Sequence, residues 1–221
     1  MTKAKTLERR IKDYRSKKVI FLSHCILNEN TRYLGGAFMG GCVKEIIQEC
    51  LDNDWGMVQM PCPEQYAWGG VTKRFLIMAY GTKGTLLYLA RGLLLPMFLI
   101  YTKLAYRRLA KAAADQVGDY LNSGHSVIGV IGINGSPSCG VTTTLDFGKA
   151  FELTAGINVE TVNAEEMNSI IRQCATNGRG LFTAVLQERL KTRGMEVPYR
   201  AYDLTAEIDG RPYSAVTPWS S

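Results

Sequence analysis

Along most of the chain, apolar residues fall either into short unbroken runs or into helical repeats, with polar stretches between them. The runs 18–23 (KVIFLS), 56–60 (GMVQM) and 126–133 (SVIGVIGI) carry few polar positions. Runs of that length without alternation read as strands covered on both faces, as in a parallel sheet. Residues 196–202 supply a last strand. Between these runs the period changes: Val43, Ile46, Ile47 and Cys50 mark one face of a helix over 42–53. Further helices are predicted over 96–121, with Pro96 in the first turn, over 163–174, opened by Asn163 with Glu166 as a capping-box-like pair, and over 180–193 (GLFTAVLQERLKTR). A loop containing Gly35, Gly36, Gly40 and Gly41 follows the first strand, and 134–141 (NGSPSCGV) forms a tight loop after the third. Strands alternating with helices imply an α/β fold, a Rossmann-like parallel sheet flanked by helices. Without an internal repeat or a low-complexity linker, 18–221 reads as a single domain preceded by a basic arm or helix over 1–17.

The segment 71–121 breaks this regular pattern, being both apolar and basic. Its most apolar part, 84–102 (GTLLYLARGLLLPMFLIYT), has an uncharged stretch of only 11 residues, from Gly92 to Thr102, whereas a spanning helix needs about 20. Arg91 near its middle would cost about 2.5–3.5 kcal/mol on insertion, and Pro96 interrupts it again. The segment therefore reads as a buried helix or a subunit interface in a homo-oligomer. Peripheral membrane contact through 84–111 is the alternative, because Lys103, Arg107 and Lys111 share one helical face just beyond the apolar run.

Charge is distributed in blocks. Residues 1–18 carry eight basic and two acidic side chains, and residues 65–114 carry eight basic and no acidic one. The stretches 19–64 and 115–221 are each net −4. Such blocks are usually solvated faces, and no nucleic-acid-binding signature accompanies them, so no specific nucleic acid is expected as a partner. The six cysteines are too scattered for a disulfide framework, and the first 18 residues lack the apolar core of a signal peptide. A cytoplasmic location, where thiols stay reduced, is the expectation.

Three of the cysteines occupy equivalent positions: Cys25 follows the first strand, Cys62 the second and Cys139 the third. In a parallel sheet those strand ends share one edge, where the ligand sites of open α/β folds form. Cys42, Cys50 and Cys174 fall at apolar positions of predicted helices and read as core residues. Three soft thiolates suit zinc or an iron–sulfur cluster. A structural zinc would want a fourth ligand. His24 adjoins Cys25 and on an extended chain would point away from it, and His125 lies at the opposite end of the sheet. A three-cysteine site with an open position is the more natural of the two, and three unrelated buried cysteines remain the alternative.

The loops around these cysteines carry more than thiols. Pro61-Cys62-Pro63-Glu64 puts a carboxylate two residues from one of them. Gly135-Ser136-Pro137-Ser138-Cys139-Gly140 puts two hydroxyls just before another. Ser23-His24-Cys25 is followed by Asn28, Arg32, Tyr33 and the pair Gly35-Gly36. Taken in order over most of residues 18–203, these motifs resemble the thiouracil desulfidase (TudS-like) family, long filed as a bacterial domain of unknown function. The resemblance implies a [4Fe-4S] cluster held by Cys25, Cys62 and Cys139 with one iron free. It also implies Glu64 as the proton-handling carboxylate and Ser136 as a hydroxyl that contacts substrate. Ser138, Arg32, Tyr33 and Asn28 complete the expected substrate-binding set. The implied activity is hydrolytic removal of sulfur from a small thioketo compound, a thiouracil or a related thionucleobase or thionucleotide, with release of sulfide. A non-enzymatic iron–sulfur sensor or sulfur-handling protein is the competing expectation. One departure from the family pattern stands out: Tyr66-Ala67-Trp68-Gly69-Gly70 and the apolar–basic middle replace the compact loop that usually follows the Cys-Pro-Glu motif.

Overall fold

The computed structural model describes residues 13–211 without a break, together with Leu7, Arg10, Ile11 and Trp219. Most of the expected basic arm over 1–17 lies outside the described residues. The chain opens with β1 (Lys18–Leu22), α1 (His24–Leu27) and a 3-10 turn (Glu29–Thr31), then α2 (Lys44–Asp52) and β2 (Gly56–Gln59). Two short helices follow, α3 (Pro63–Ala67) and α4 (Arg74–Tyr80), and then the long α5 (Leu86–Asn122). After β3 (Ser126–Asn134) come β4 (Thr143–Leu145), α6 (Phe147–Ala155), α7 (Ala164–Cys174) and β5 (Ala175–Asn177). The described chain closes with α8 (Leu181–Thr192), β6 (Tyr199–Asp203) and α9 (Leu204–Ile208).

Four strands form an all-parallel sheet in the order β2-β1-β3-β6, so the architecture is α/β and Rossmann-like. The continuous apolar runs have their cause in two-sided burial. Along β1, Val19 and Phe21 face the core built with α5 and α8, while Ile20 and Leu22 face the core built with α2. Ile20, Phe21 and Leu22 are wholly buried, each contributing about 1.5–3 kcal/mol by leaving water. A separate antiparallel pair, β4 with β5, and the helix α6 have no counterpart in the sequence-based expectation. The two strands have three residues each, too short for periodicity to register.

Three expectations need correction. The helix expected over 96–121 begins ten residues earlier, at Leu86, where the Thr85 hydroxyl caps it by accepting from the Tyr88 amide, and Pro96 lies inside it. The first half of that helix is also not buried: Leu86, Leu89, Leu93, Met97 and Ile100 are each more than half exposed. Leu95 and Phe98 only edge against the core, and the fully buried positions of α5 begin at Thr102 and continue through Ala105, Tyr106, Ala110, Ala113, Ala114 and Val117. In addition, Cys42 lies in the loop before α2 and is only partly buried, whereas Cys50 and Cys174 are buried as expected.

Candidate functional site

Because β2, β1 and β3 are neighbours pointing the same way, the segments leaving their carboxyl ends meet at one edge of the sheet. The chain moves outward from β1 to β2 and then crosses back to β3, so the topological switch point lies between β1 and β3. Cys25 leaves β1 on the first turn of α1. Cys62 is the N-cap of α3, its sulfur accepting from the Gln65 amide at 3.3 Å. Cys139 sits in the loop after β3.

That loop is held by groups outside its own motif. Asn134, the last residue of β3, accepts through Oδ1 from the amides of Val141, Thr142 and Thr143 at 3.0–3.3 Å and donates through Nδ2 to the Thr142 hydroxyl. From the other side the start of α8 donates into it. The Leu181 amide reaches the Pro137 carbonyl, the Phe182 and Thr183 amides reach the Ser138 carbonyl, and the Gly180 amide reaches the Gly140 carbonyl. The approach is so close that a Cβ on Gly180 would collide with the Ser138 carbonyl, and one on Gly140 with the Thr143 carbonyl oxygen.

These segments enclose a cavity of about 120 Å³. Cys25, Cys62, Cys139, Glu64, Ser136 and Ser138 all line it, with Leu145, Phe147, Ile170 and Leu204 as apolar walls. Glu64 is the hub. Its Oε2 pairs with the Lys73 ammonium at 2.5 Å, and its Oε1 accepts from the Ser138 hydroxyl at 2.7 Å and the Ser136 hydroxyl at 3.3 Å. The two serines differ in their other bonds. Ser136 Oγ accepts from the amides of Ser138 and Cys139 at 3.3 and 3.1 Å and lies 3.0 Å from Ser138 Oγ, which fixes its oxygen and leaves its proton to choose between Glu64, the Ser138 oxygen and a ligand. Ser138 commits its proton to the short bond with Glu64.

Burial governs the electrostatics. It pushes all three thiols up, Cys62 to about 12 and Cys139 well above the ordinary range, where Cys25, Cys62 and Glu64 add to the effect. That Cys139 is affected by both other thiols puts the three within electrostatic reach of one another. Ionising all three in a dry pocket is unfavourable unless a compensating cation is supplied, so the donor set fits a soft, multiply charged metal centre. Among the described residues no three His, Cys, Asp or Glu side chains converge closely enough to hold one metal ion. Sulfurs sharing a single zinc would stand about 3.8 Å apart, given zinc–sulfur bonds of about 2.3 Å. An iron–sulfur cluster, held by cysteine thiolates on separate irons, would not require the three sulfurs to meet on one ion.

Of the residues expected to contact substrate, Arg32 and Tyr33 line the cavity, and both are tied to their own neighbours. Arg32 Nη1 donates to Glu207 at 2.7 Å and to the Gly36 carbonyl, Nη2 pairs with Glu29 at 3.0 Å, and Nε has no hydrogen-bond partner among the described residues. Glu29 in turn accepts from the Phe38 and Met39 amides, so this buried cluster shapes the glycine-rich loop. Tyr33 donates to Asn168 at 2.7 Å, and its ring occupies the space a Cβ on Gly36 would need. Asn28 does not line the cavity; its side-chain oxygen accepts from the Asn30 amide and caps the 3-10 turn. His24 does line it, contrary to expectation, because the chain turns helical after Ser23 instead of staying extended. His125 lies at the far end, against Tyr120.

Sequence reasoning missed Lys73, Tyr106 and Asn134, and left Trp68 open between the pocket and an interface. Lys73 reaches Glu64 because Gly69 and Gly70, both at positive φ, fold the chain back after α3, so that the Phe75 amide donates to the Trp68 carbonyl. Tyr106, wholly buried on α5, brings its hydroxyl toward Ser138 without aligning for a full hydrogen bond. Trp68 forms part of the wall and donates to the Thr102 hydroxyl at 3.1 Å.

No protein-family model matches the chain, and no solved structure matches it. An uncharacterized protein of Methanocaldococcus jannaschii is 36% identical to it over 50 residues, which is 23% of this chain and 32% of that protein. The aligned part thus covers about a third of the relative it matches.

Proposed function

We propose that this protein is a [4Fe-4S]-dependent desulfidase that converts a small thioketo compound, a thiouracil or a related thionucleobase or thionucleotide, to its oxo counterpart with release of sulfide. One observation carries the reading: three thiols from three strand ends line the same cavity as a carboxylate gripped by a lysine and two serines. Cys25, Cys62 and Cys139 would hold the cluster, which when bound supplies a thiophilic, Lewis-acidic iron. The chain's own groups handle the water and the protons. Glu64, with Oε2 locked to Lys73, has Oε1 as its working oxygen. It takes a proton from water as the water oxygen bonds to the thiocarbonyl carbon, and gives it to the departing sulfur as the carbon–sulfur bond breaks, while the added hydroxyl releases its proton to solvent as the carbonyl forms. Ser136, its oxygen held by two amides, turns its proton toward the substrate heteroatom that gains charge. Ser138 keeps Glu64 in place. One water enters, sulfide leaves, and no electron is gained or lost overall. The apolar walls suit a flat, weakly hydrated ring.

The test is anaerobic purification with iron and sulfide analysis. About four irons per chain are expected, lost in Cys62→Ser. Glu64→Gln is expected to keep the iron and its visible absorbance while abolishing sulfide release from thiouracils. Loss of both together would make Glu64 structural. A stable cluster with no sulfide released from any thioketo compound would leave a sensor or sulfur-handling protein instead.

A further inference from the structure

The first half of α5 leaves a long apolar face without a partner. Leu86, Leu89, Leu93, Met97, Ile100 and Leu104 recur at spacings of three and four along one side of the helix, and each is 52–81% exposed. Of the most apolar 18-residue window in α5, only 6% is buried. Phe75, Ile77 and Met78 of the adjoining α4 are also more than half exposed. Further along α5 the chemistry changes: Lys103, Arg107 and Arg108, all exposed, follow the apolar stripe. No acidic residue occurs anywhere from 65 to 114.

We infer that this surface seats the protein on an anionic lipid bilayer, with α5 lying in the interface plane. Charge complementarity selects that occupant. A second copy placed on the same face would bring two wholly cationic segments together, whereas acidic headgroups neutralise them. By length and composition α5 could cross a bilayer, yet its inner side is fastened to the body of the protein. Arg91 pairs with Glu152 of α6 at 2.9 Å, Tyr88 donates to the same carboxylate, and Thr102 accepts from Trp68. The second half of the helix is part of the core beneath the sheet. A spanning orientation would break these bonds and carry Arg91 into hydrocarbon, whereas an interfacial one leaves them intact and buries only the outer stripe. Lipid docking of this kind is independent of the desulfidase reading.

Flotation of the full chain with vesicles tests it. Strong binding is expected to vesicles of phosphatidylcholine with about one-third phosphatidylserine, weak binding to phosphatidylcholine alone, and a marked loss as salt shortens the screening length. The exposed triple change Lys103→Gln/Arg107→Gln/Arg108→Gln is expected to lower partitioning about a hundredfold, at roughly fivefold per charge. Leu93→Asp/Met97→Asp is expected to abolish it. Both variants change exposed positions only, and circular dichroism checks that they fold. Equal binding to both vesicle types, no effect of the triple change, or no flotation at all would overturn the inference. So would sedimentation showing a dimer that Leu93→Asp/Met97→Asp dissociates, with no lipid binding, since the face would then join two copies.

Discussion

Lys73 is a costly residue to keep. Its backbone is left-handed, with φ of 52°, and its ammonium is buried against a carboxylate that is itself buried. Burial disfavours its charge, Glu64 together with the Cys62 and Cys25 sulfurs favours it, and the lysine is held protonated above its ordinary range. Removing one partner of such a pair leaves the other unpaired in low dielectric. Lys73→Met is therefore expected to destabilise the fold by about 3–5 kcal/mol in urea unfolding, and Lys73→Met/Glu64→Gln by less than the sum of the single changes. The raised pKa sets the sign of the pH dependence. The pair's contribution is fully present below the unfolded lysine pKa of about 10.4 and fades as pH rises through the higher folded value. The wild type should thus lose urea resistance in that alkaline range relative to Lys73→Met. A lysine in a basic stretch reads as a solvated charge, and nothing local in the sequence shows that Gly69 and Gly70 fold it back onto Glu64.

At the scale of elements, the cysteine loop and the start of α8 behave as one piece. Gly180→Ala would push a methyl group into the Ser138 backbone, where only loop movement relieves the contact. A stability loss of about 1–3 kcal/mol is expected, with sulfide release falling further than stability because Ser136, Ser138 and Cys139 shift together. Thermal unfolding and turnover measured on the same preparation separate the two effects. The strands and the three cysteine loops were legible in the chain because two-sided burial leaves unbroken apolar runs, and a parallel sheet brings the loops after those runs to one edge. The clamp by Asn134 and the start of α8 was not, because nearly all the partners in it are backbone amides and carbonyls, whose pairing no side-chain pattern records. The start of α5 was misplaced for a related reason. Proline is a familiar first-turn residue, and Pro96 concealed the cap supplied by Thr85 further upstream.

For the molecule as a whole, α5 joins two environments. Its second half shares the core with β1, β3 and α8, and its first half rests on α4 and α6 with its outer side uncovered. Pro96 has no amide to donate to the Gly92 carbonyl, which weakens the helix near the middle of its exposed part. Hydrogen exchange is therefore expected to be slow over 102–117, opening only with global unfolding, and much faster over 86–100. Uniform protection along α5 would contradict this division. Anionic vesicles should slow exchange in the first half alone.

The indole of Trp68 gives the fold a built-in optical gauge. It is 1% exposed, forms part of the cavity wall and hydrogen-bonds α5 where that helix enters the core, whereas Trp55 is half-buried and Trp219 is 37% exposed. Its emission belongs at the blue edge of the spectrum, separable from the other two. A chromophore gained in the cavity would dim that component first, and a tilt of α5 would shift its wavelength, so one fluorescence trace distinguishes filling of the pocket from movement of the helix beside it.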